Sequence, residues 1–165
     1  MRNKQKGFSL IELLIVVAII LIIAAIAIPN LIRSKMAANE ASAVATLRTL
    51  NTAEVVYSSN YSVPTIFAAS LTALGDGGVA ANCAAGAVAP TSTNACLIDG
   101  ALENATAANP KSGYVLTYAN PAGGYTVNND PVSPGSTGVR QFFTDQSLVI
   151  RQATGAAATA TSNPI

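Results

Sequence analysis

Residues 8–28 read FSLIELLIVVAIILIIAAIAI, and Pro29 follows immediately. The run of 21 residues is apolar apart from Ser9 and one acid, Glu12. As an α-helix rising ~1.5 Å per residue it is long enough to cross a hydrocarbon layer ~30 Å thick. Residues 13–28 contain no polar side chain, and a helix apolar on every side is buried on every side, in lipid or in a bundle. A charge in a membrane helix is costly, roughly 2.5–3.5 kcal/mol at its centre and less near an interface. Glu12, four residues past the start of the run, is therefore expected to have a use.

Upstream lies the short basic stretch Met1-Arg2-Asn3-Lys4-Gln5-Lys6-Gly7, and beyond the run come Arg33 and Lys35. This weak charge bias favours a cytoplasmic N-terminus, with the remaining domain on the other side. A secretory signal peptide cut after Ala25-Ile26-Ala27 is the obvious alternative. Glu12 inside what should be an uncharged core, and the length of the run, argue against it.

The chain of 165 residues has room for one modest domain besides this segment. Its formal net charge is +1; loss of residues 1–7 leaves six of nine basic residues against eight acidic ones, formally −2. No polybasic face points to nucleic acid. Histidine is absent, which removes the commonest general base and transition-metal ligand. The adjacent Lys111-Ser112 is no basis for a catalytic dyad, so no enzyme is expected. Asp99, Asp130 and Asp145 lack the close alternate spacing of a calcium loop, and no metal or cofactor is expected. Asn60-Tyr61-Ser62 and Asn104-Ala105-Thr106 are read as chance glycosylation patterns. The two cysteines, Cys83 and Cys96, suggest one disulfide in an exported chain, with free thiols as the alternative.

The segment Lys6-Gly7-Phe8-Ser9-Leu10-Ile11-Glu12-Leu13 resembles the class III leader and processing site of type IV pilins and type II secretion pseudopilins. A basic leader, Gly, Phe, Glu and an Ala/Ile/Val/Leu run ending in Pro29 carry the likeness, which extends through the first ~60 residues as a long helix. Ser9 stands where Thr is common. The resemblance implies that a prepilin peptidase cuts between Gly7 and Phe8 and that the new amine of Phe8 is N-methylated.

In a filament, Glu12 of one subunit can approach the Phe8 amine of a neighbour. Desolvation offsets much of that attraction, but an unpaired buried charge penalises misaligned insertion, so the pair sets register. A Glu12 that merely snorkels at the interface is the alternative. Pro29 cannot donate a backbone hydrogen bond, so a kink or local melting is expected around residues 24–28, or else Pro29 marks the membrane exit.

After Asn30 the pattern turns amphipathic. Met36, Ala43, Leu47, Leu50, Ala53 and Tyr57 form one stripe, and Ala37, Ala38, Ala41 and Ala45 a second surface of small residues. Glu40, Arg48 and Glu54 are assigned to solvated or inter-subunit edges. The helix should stop before Ser62-Val63-Pro64. Ser70-Leu71-Thr72-Ala73-Leu74 reads as a helical turn ended by the glycines of 75–78, and Asp99 and Glu103 as isolated acids. Strands are expected at 114–118, 125–128, 140–144 and 147–151, with turns at 120–124 and Asp145-Gln146 and a loop over 129–138.

The expected fold is α+β: a long N-terminal helix, kinked near Pro29, packed on a small antiparallel meander. Its parts are a cleaved leader (1–7), a transmembrane and filament-core half-helix (8–29), an amphipathic half (30–60), a globular head (61–152) and a flexible tail (153–165). The expected function is that of a structural subunit of a type IV pilus, stored in the inner membrane and assembled into a helical homopolymer after processing. Such a fibre serves adhesion, twitching motility or DNA uptake. The alternative is a major-type pseudopilin in a periplasmic pseudopilus. Implied partners are further copies of the chain, the prepilin peptidase/methyltransferase, an assembly ATPase and an inner-membrane platform protein.

Overall fold

The computed structural model describes residues 8–61, 66–84 and 89–165. The expected leader, with Gly7, and the expected stop at Ser62-Val63-Pro64 lie outside the described residues. The chain divides into two compact units, Met1–Lys35 and Met36–Ile165.

Helix α1 spans Leu10–Asn60, with Pro29 inside it. Residues 24–28 are helical, which corrects the expectation of local melting there. Pro29 removes a single ladder bond, the one to the Ala25 carbonyl, and the remaining bonds of a cooperative helix keep it wound.

In the second unit, Ala43, Leu47, Leu50, Ala53 and Tyr57 are buried as the stripe predicts, and Met36 is half-buried. Leu47 and Leu50 are wholly enclosed, each worth roughly 1.5–3 kcal/mol relative to exposure. Their partners are Tyr114, Leu116, Val127 and Phe142 on the sheet, Tyr125 just before β2, and Leu71, Leu74 and Leu102 on two short helices. These are α2, Leu71–Leu74, capped by the Ser70 side chain, and α3, Gly100–Glu103, capped by that of Asp99. The residues of the second small-residue surface, Ala37, Ala38, Ala41 and Ala45, are exposed.

The sheet is a five-stranded antiparallel meander in sequence order: β1 Tyr114–Ala119, β2 Thr126–Pro131, β3 Arg140–Asp145, β4 Arg151–Thr154 and β5 Asn163–Pro164. Tyr114, Leu116 and Tyr118 alternate toward the core, and Tyr118 pairs with Val127.

Three local expectations are corrected. β2 continues to Pro131 instead of becoming a loop at Asn129, because Asn129 is buried and its amide donates to the Ala43 carbonyl at 3.2 Å. The β3–β4 connection occupies residues 146–150, not a two-residue turn. There the Asp145 carboxylate accepts the Ser147 N–H at 2.9 Å, a local bond that competes with strand pairing, and Leu148 adopts a φ of +63°. Residues 153–165, expected as a flexible tail, continue β4 and supply β5. Ala158 is buried, and its carbonyl accepts the Asn128 amide at 2.9 Å.

The acids also differ from expectation. Glu40, Glu54 and Glu103 are buried, not solvated or isolated. Glu103 accepts the backbone N–H groups of Asp76 and Gly78, both at 2.9 Å. Arg48 is exposed, as expected.

Candidate assembly helix

The sequence-predicted site residues fall into two places. Phe8, Glu12 and Pro29 belong to the apolar segment, while Cys83 and Cys96 lie in the second unit. Gly7 is outside the described residues.

The apolar segment begins helically at Leu10, and the Ser9 carbonyl accepts the N–H groups of Glu12 and Leu13 at 3.2 Å. Glu12 thus stands in the first turn, where the helix dipole favours a negative charge. Its side chain is exposed, and among the described residues it forms no ion pair.

The large aliphatic residues from Leu10 to Ile28 are all exposed, by 45% or more. Isolated exposed aliphatics are ordinary on a protein surface, but a continuous apolar surface of this size marks contact with a membrane or with another chain. Part of it is already shaped. Leu10, Leu13, Leu14, Val17, Ala18 and Leu21 line an open, wholly apolar groove of about 380 Å³. Their spacing of three and four residues places them along one face, the arrangement that receives side chains from a neighbouring helix. What this segment offers chemically is apolar surface and one carboxylate, that of Glu12.

In the second unit, Cys83 and Cys96 form the expected disulfide. The chain beside it is tied to α2 and its turn: the N–H groups of Ala95, Cys96 and Leu97 donate to the carbonyls of Ala73, Gly75 and Leu74 at 2.7–2.9 Å. The Tyr57 hydroxyl donates to the Ser92 carbonyl at 2.8 Å, so the stapled loop is held to α1 as well.

Sequence reasoning missed two polar anchors on α1. Glu40 accepts the N–H groups of Val139 and Arg140 at 2.8 and 3.1 Å and the Arg140 Nε–H at 2.8 Å. Burial alone would raise its pKa; these three donors outweigh burial and hold it below the ordinary 4.5. Asn51 accepts the hydroxyls of Tyr125 and Thr144 at 2.9 and 3.0 Å and donates to the Leu148 carbonyl at 3.2 Å. A signal for buried acids was present. Glu40, Ala43, Leu47, Leu50, Glu54 and Tyr57 follow one another at alternating steps of three and four, so both acids lie on the apolar stripe itself.

Residues 2–28 match the family described as the prokaryotic N-terminal methylation motif. The chain is 39% identical over 100 residues to the type IV wide pilus major component PilA4 of Thermus thermophilus, an overlap of 61% of this chain and 76% of that protein. It is 51% identical over 51 residues to the type IV major pilin protein PilA of Myxococcus xanthus, covering 31% of this chain but only 23% of that longer relative. No solved structure matches the chain. An N-terminal methylation motif on an exposed apolar helix, followed by an α+β unit and joined by extended identity to a pilus component, makes this chain a member of the type IV pilin family.

Proposed function

We propose that the chain is the structural subunit of a type IV pilus, held in the inner membrane by residues 8–28 and then packed into a helical homopolymer through the same residues. The observation that carries this reading is the exposure of every large aliphatic side chain from Leu10 to Ile28 around a single unpaired acid. Lipid can cover that surface before assembly and identical helices afterwards. Head-to-tail contacts that do not close on themselves generate filaments. Both relatives are described as pilus components, which favours a pilus over a secretion pseudopilus.

In this reading a prepilin peptidase cuts between Gly7 and Phe8 and methylates the Phe8 amine. Removal of Lys4 and Lys6 keeps their charges out of the filament core, and Glu12 takes the Phe8 amine of a neighbouring subunit. Pro29 leaves the Ala25 carbonyl without its helical donor, a weak point where the helix can bend on assembly. An assembly ATPase and a membrane platform protein supply the work, since this apolar run leaves lipid only at a cost that neighbouring helices must offset. Adhesion, twitching motility and DNA uptake are the functions such a fibre serves.

Mass spectrometry of the mature N-terminus tests the reading together with electron microscopy of sheared surface material. A methylated Phe8 terminus in long fibres is the expected result; a chain starting at Met1 or Ile28 overturns it. Gly7→Leu should block leader removal. Glu12→Ala should insert into the membrane normally yet yield fewer fibres, and unchanged fibre yield would refute its role in register.

A further inference from the structure

Glu54 on α1 is fully enclosed. The single ion pair among the described residues is Glu40–Arg140, so Glu54 has no counter-ion there. Its Oε2 accepts the Ala68 N–H at 3.2 Å. Its Oε1 lies 2.6 Å from the Tyr118 hydroxyl oxygen, and that same oxygen lies 2.6 Å from the Ala68 carbonyl. Two oxygen–oxygen contacts this short each require a hydrogen between them. A phenol carries one hydrogen and a carbonyl none. The second hydrogen has one source left, the Glu54 carboxyl group.

We propose that Glu54 is a neutral acid in the folded second unit and serves as a proton-operated clasp: Glu54 Oε1–H donates to Tyr118, Tyr118 donates to the Ala68 carbonyl, and loss of the Glu54 proton breaks this relay. On ionisation the proton leaves to water and the Tyr118 hydrogen turns to the new carboxylate. The Ala68 carbonyl then keeps only the Asn120 amide as a donor. The clasp joins three parts of the fold: α1 through Glu54, the segment around Ala68, and β1 through Tyr118.

The surroundings support a neutral form. Among the described residues, the titratable groups facing Glu54 are Tyr118 on β1 and Tyr125, which immediately precedes β2, with Tyr57 beside Tyr118 and Asp145 of β3 beyond Tyr125. None of these is a cation. Burial raises the Glu54 pKa above its ordinary 4.5, and the bonds from Tyr118 and Ala68 offset that only in part. The sign follows from linkage. A folded-state pKa above the unfolded one means that the folded chain holds the proton more tightly. The clasp's contribution is complete below pH 4.5 and is lost as pH rises through the folded-state value.

The test uses the full-length chain in detergent and does not depend on the filament reading, since it is decided on dispersed protein whether or not fibres form. Infrared spectra above pH 4.5 are expected to show a protonated-carboxyl stretch that Glu54→Gln deletes. Glu54→Gln mimics the neutral acid, its amide donating to Tyr118 while its oxygen accepts from Ala68. Its Tm should match wild type in acid and exceed it by roughly 3 °C or more once Glu54 ionises in the wild type. Absence of that infrared band in the wild type, or melting temperatures of the two proteins that run parallel across pH, would overturn the proposal.

Discussion

Glu40 on α1 and Arg140 at the start of β3, 100 residues apart in sequence, meet at 2.8 Å, and the same carboxylate takes the backbone N–H groups of Val139 and Arg140. The Glu40 side chain is 10% exposed and that of Arg140 44%. The backbone bonds therefore matter more than the ion pair, which solvent screens.

Truncating the two partners should separate these contributions. Glu40→Ala strands two backbone donors and should lower unfolding free energy by about 2 kcal/mol, whereas Arg140→Ala should cost about 0.5 kcal/mol. Denaturant titration of both variants measures the difference. Because the Glu40 pKa is lowered, its contribution is present above pH 4.5 and is lost as pH falls through the folded-state value. Glu40 and Glu54, on one helix, thus give stability slopes of opposite sign, and Glu40→Gln should flatten only the acidic limb.

Asn51 satisfies two hydroxyls and a carbonyl where α1 meets Tyr125 just ahead of β2, Thr144 of β3 and the 146–150 connection. Asn51→Ala removes all three partners at once and should cost about 3 kcal/mol. Tyr125→Phe deletes one of these bonds together with the group that would be stranded, and should cost about 1 kcal/mol. Urea midpoints with an unchanged m-value would confirm both as native-state effects.

The Cys83–Cys96 bridge closes a loop with a sequence separation of 13. In the chain-entropy model, reduction or the double Ser variant should remove about 3 kcal/mol. Thermal unfolding with and without reductant checks this. The double variant should show no further response to reductant.

Gly75 is required by close approach. A Cβ at that position would overlap Glu103 Oε2, the oxygen that accepts the Asp76 N–H. Gly75→Ala should therefore displace a buried carboxylate from its two donors and destabilise the second unit by about 2 kcal/mol. Hydrogen exchange at the Asp76 and Gly78 amides, faster in the variant, would report that displacement directly.

Hydropathy and spacing made much of the architecture legible. The exposed membrane-length segment, the stripe from Ala43 to Tyr57, the Ser70-capped turn and β1 all depend on neighbours a few residues apart. The Cys83–Cys96 bridge was the expected pairing of the two cysteines, with free thiols as the alternative. Less legible were the ends of β2 and β4. Asn129 reads as a turn residue yet is buried beneath the Ala43 carbonyl, and an Asp145 side-chain bond displaces the expected tight turn. The strand at 163–164 gave no signal, because Asn163-Pro164 has poor strand propensity and is held by pairing with β4.

Two acids on one helix mark the division. The sequence by itself determined that residues 8–28 form an apolar run of membrane length, because aliphatic side chains carry their hydrophobicity wherever they go. The sequence reading sets Glu40 and Glu54 at solvated or inter-subunit edges, although their spacing of three and four from Ala43, Leu50 and Tyr57 puts both on the apolar stripe. Only the tertiary structure decided that Glu40 is anchored by donors from 139–140 while Glu54 meets a tyrosine hydroxyl and a backbone N–H. A carboxyl group's charge state depends on the donors and the burial around it, and folding brings those from chain segments far away in sequence.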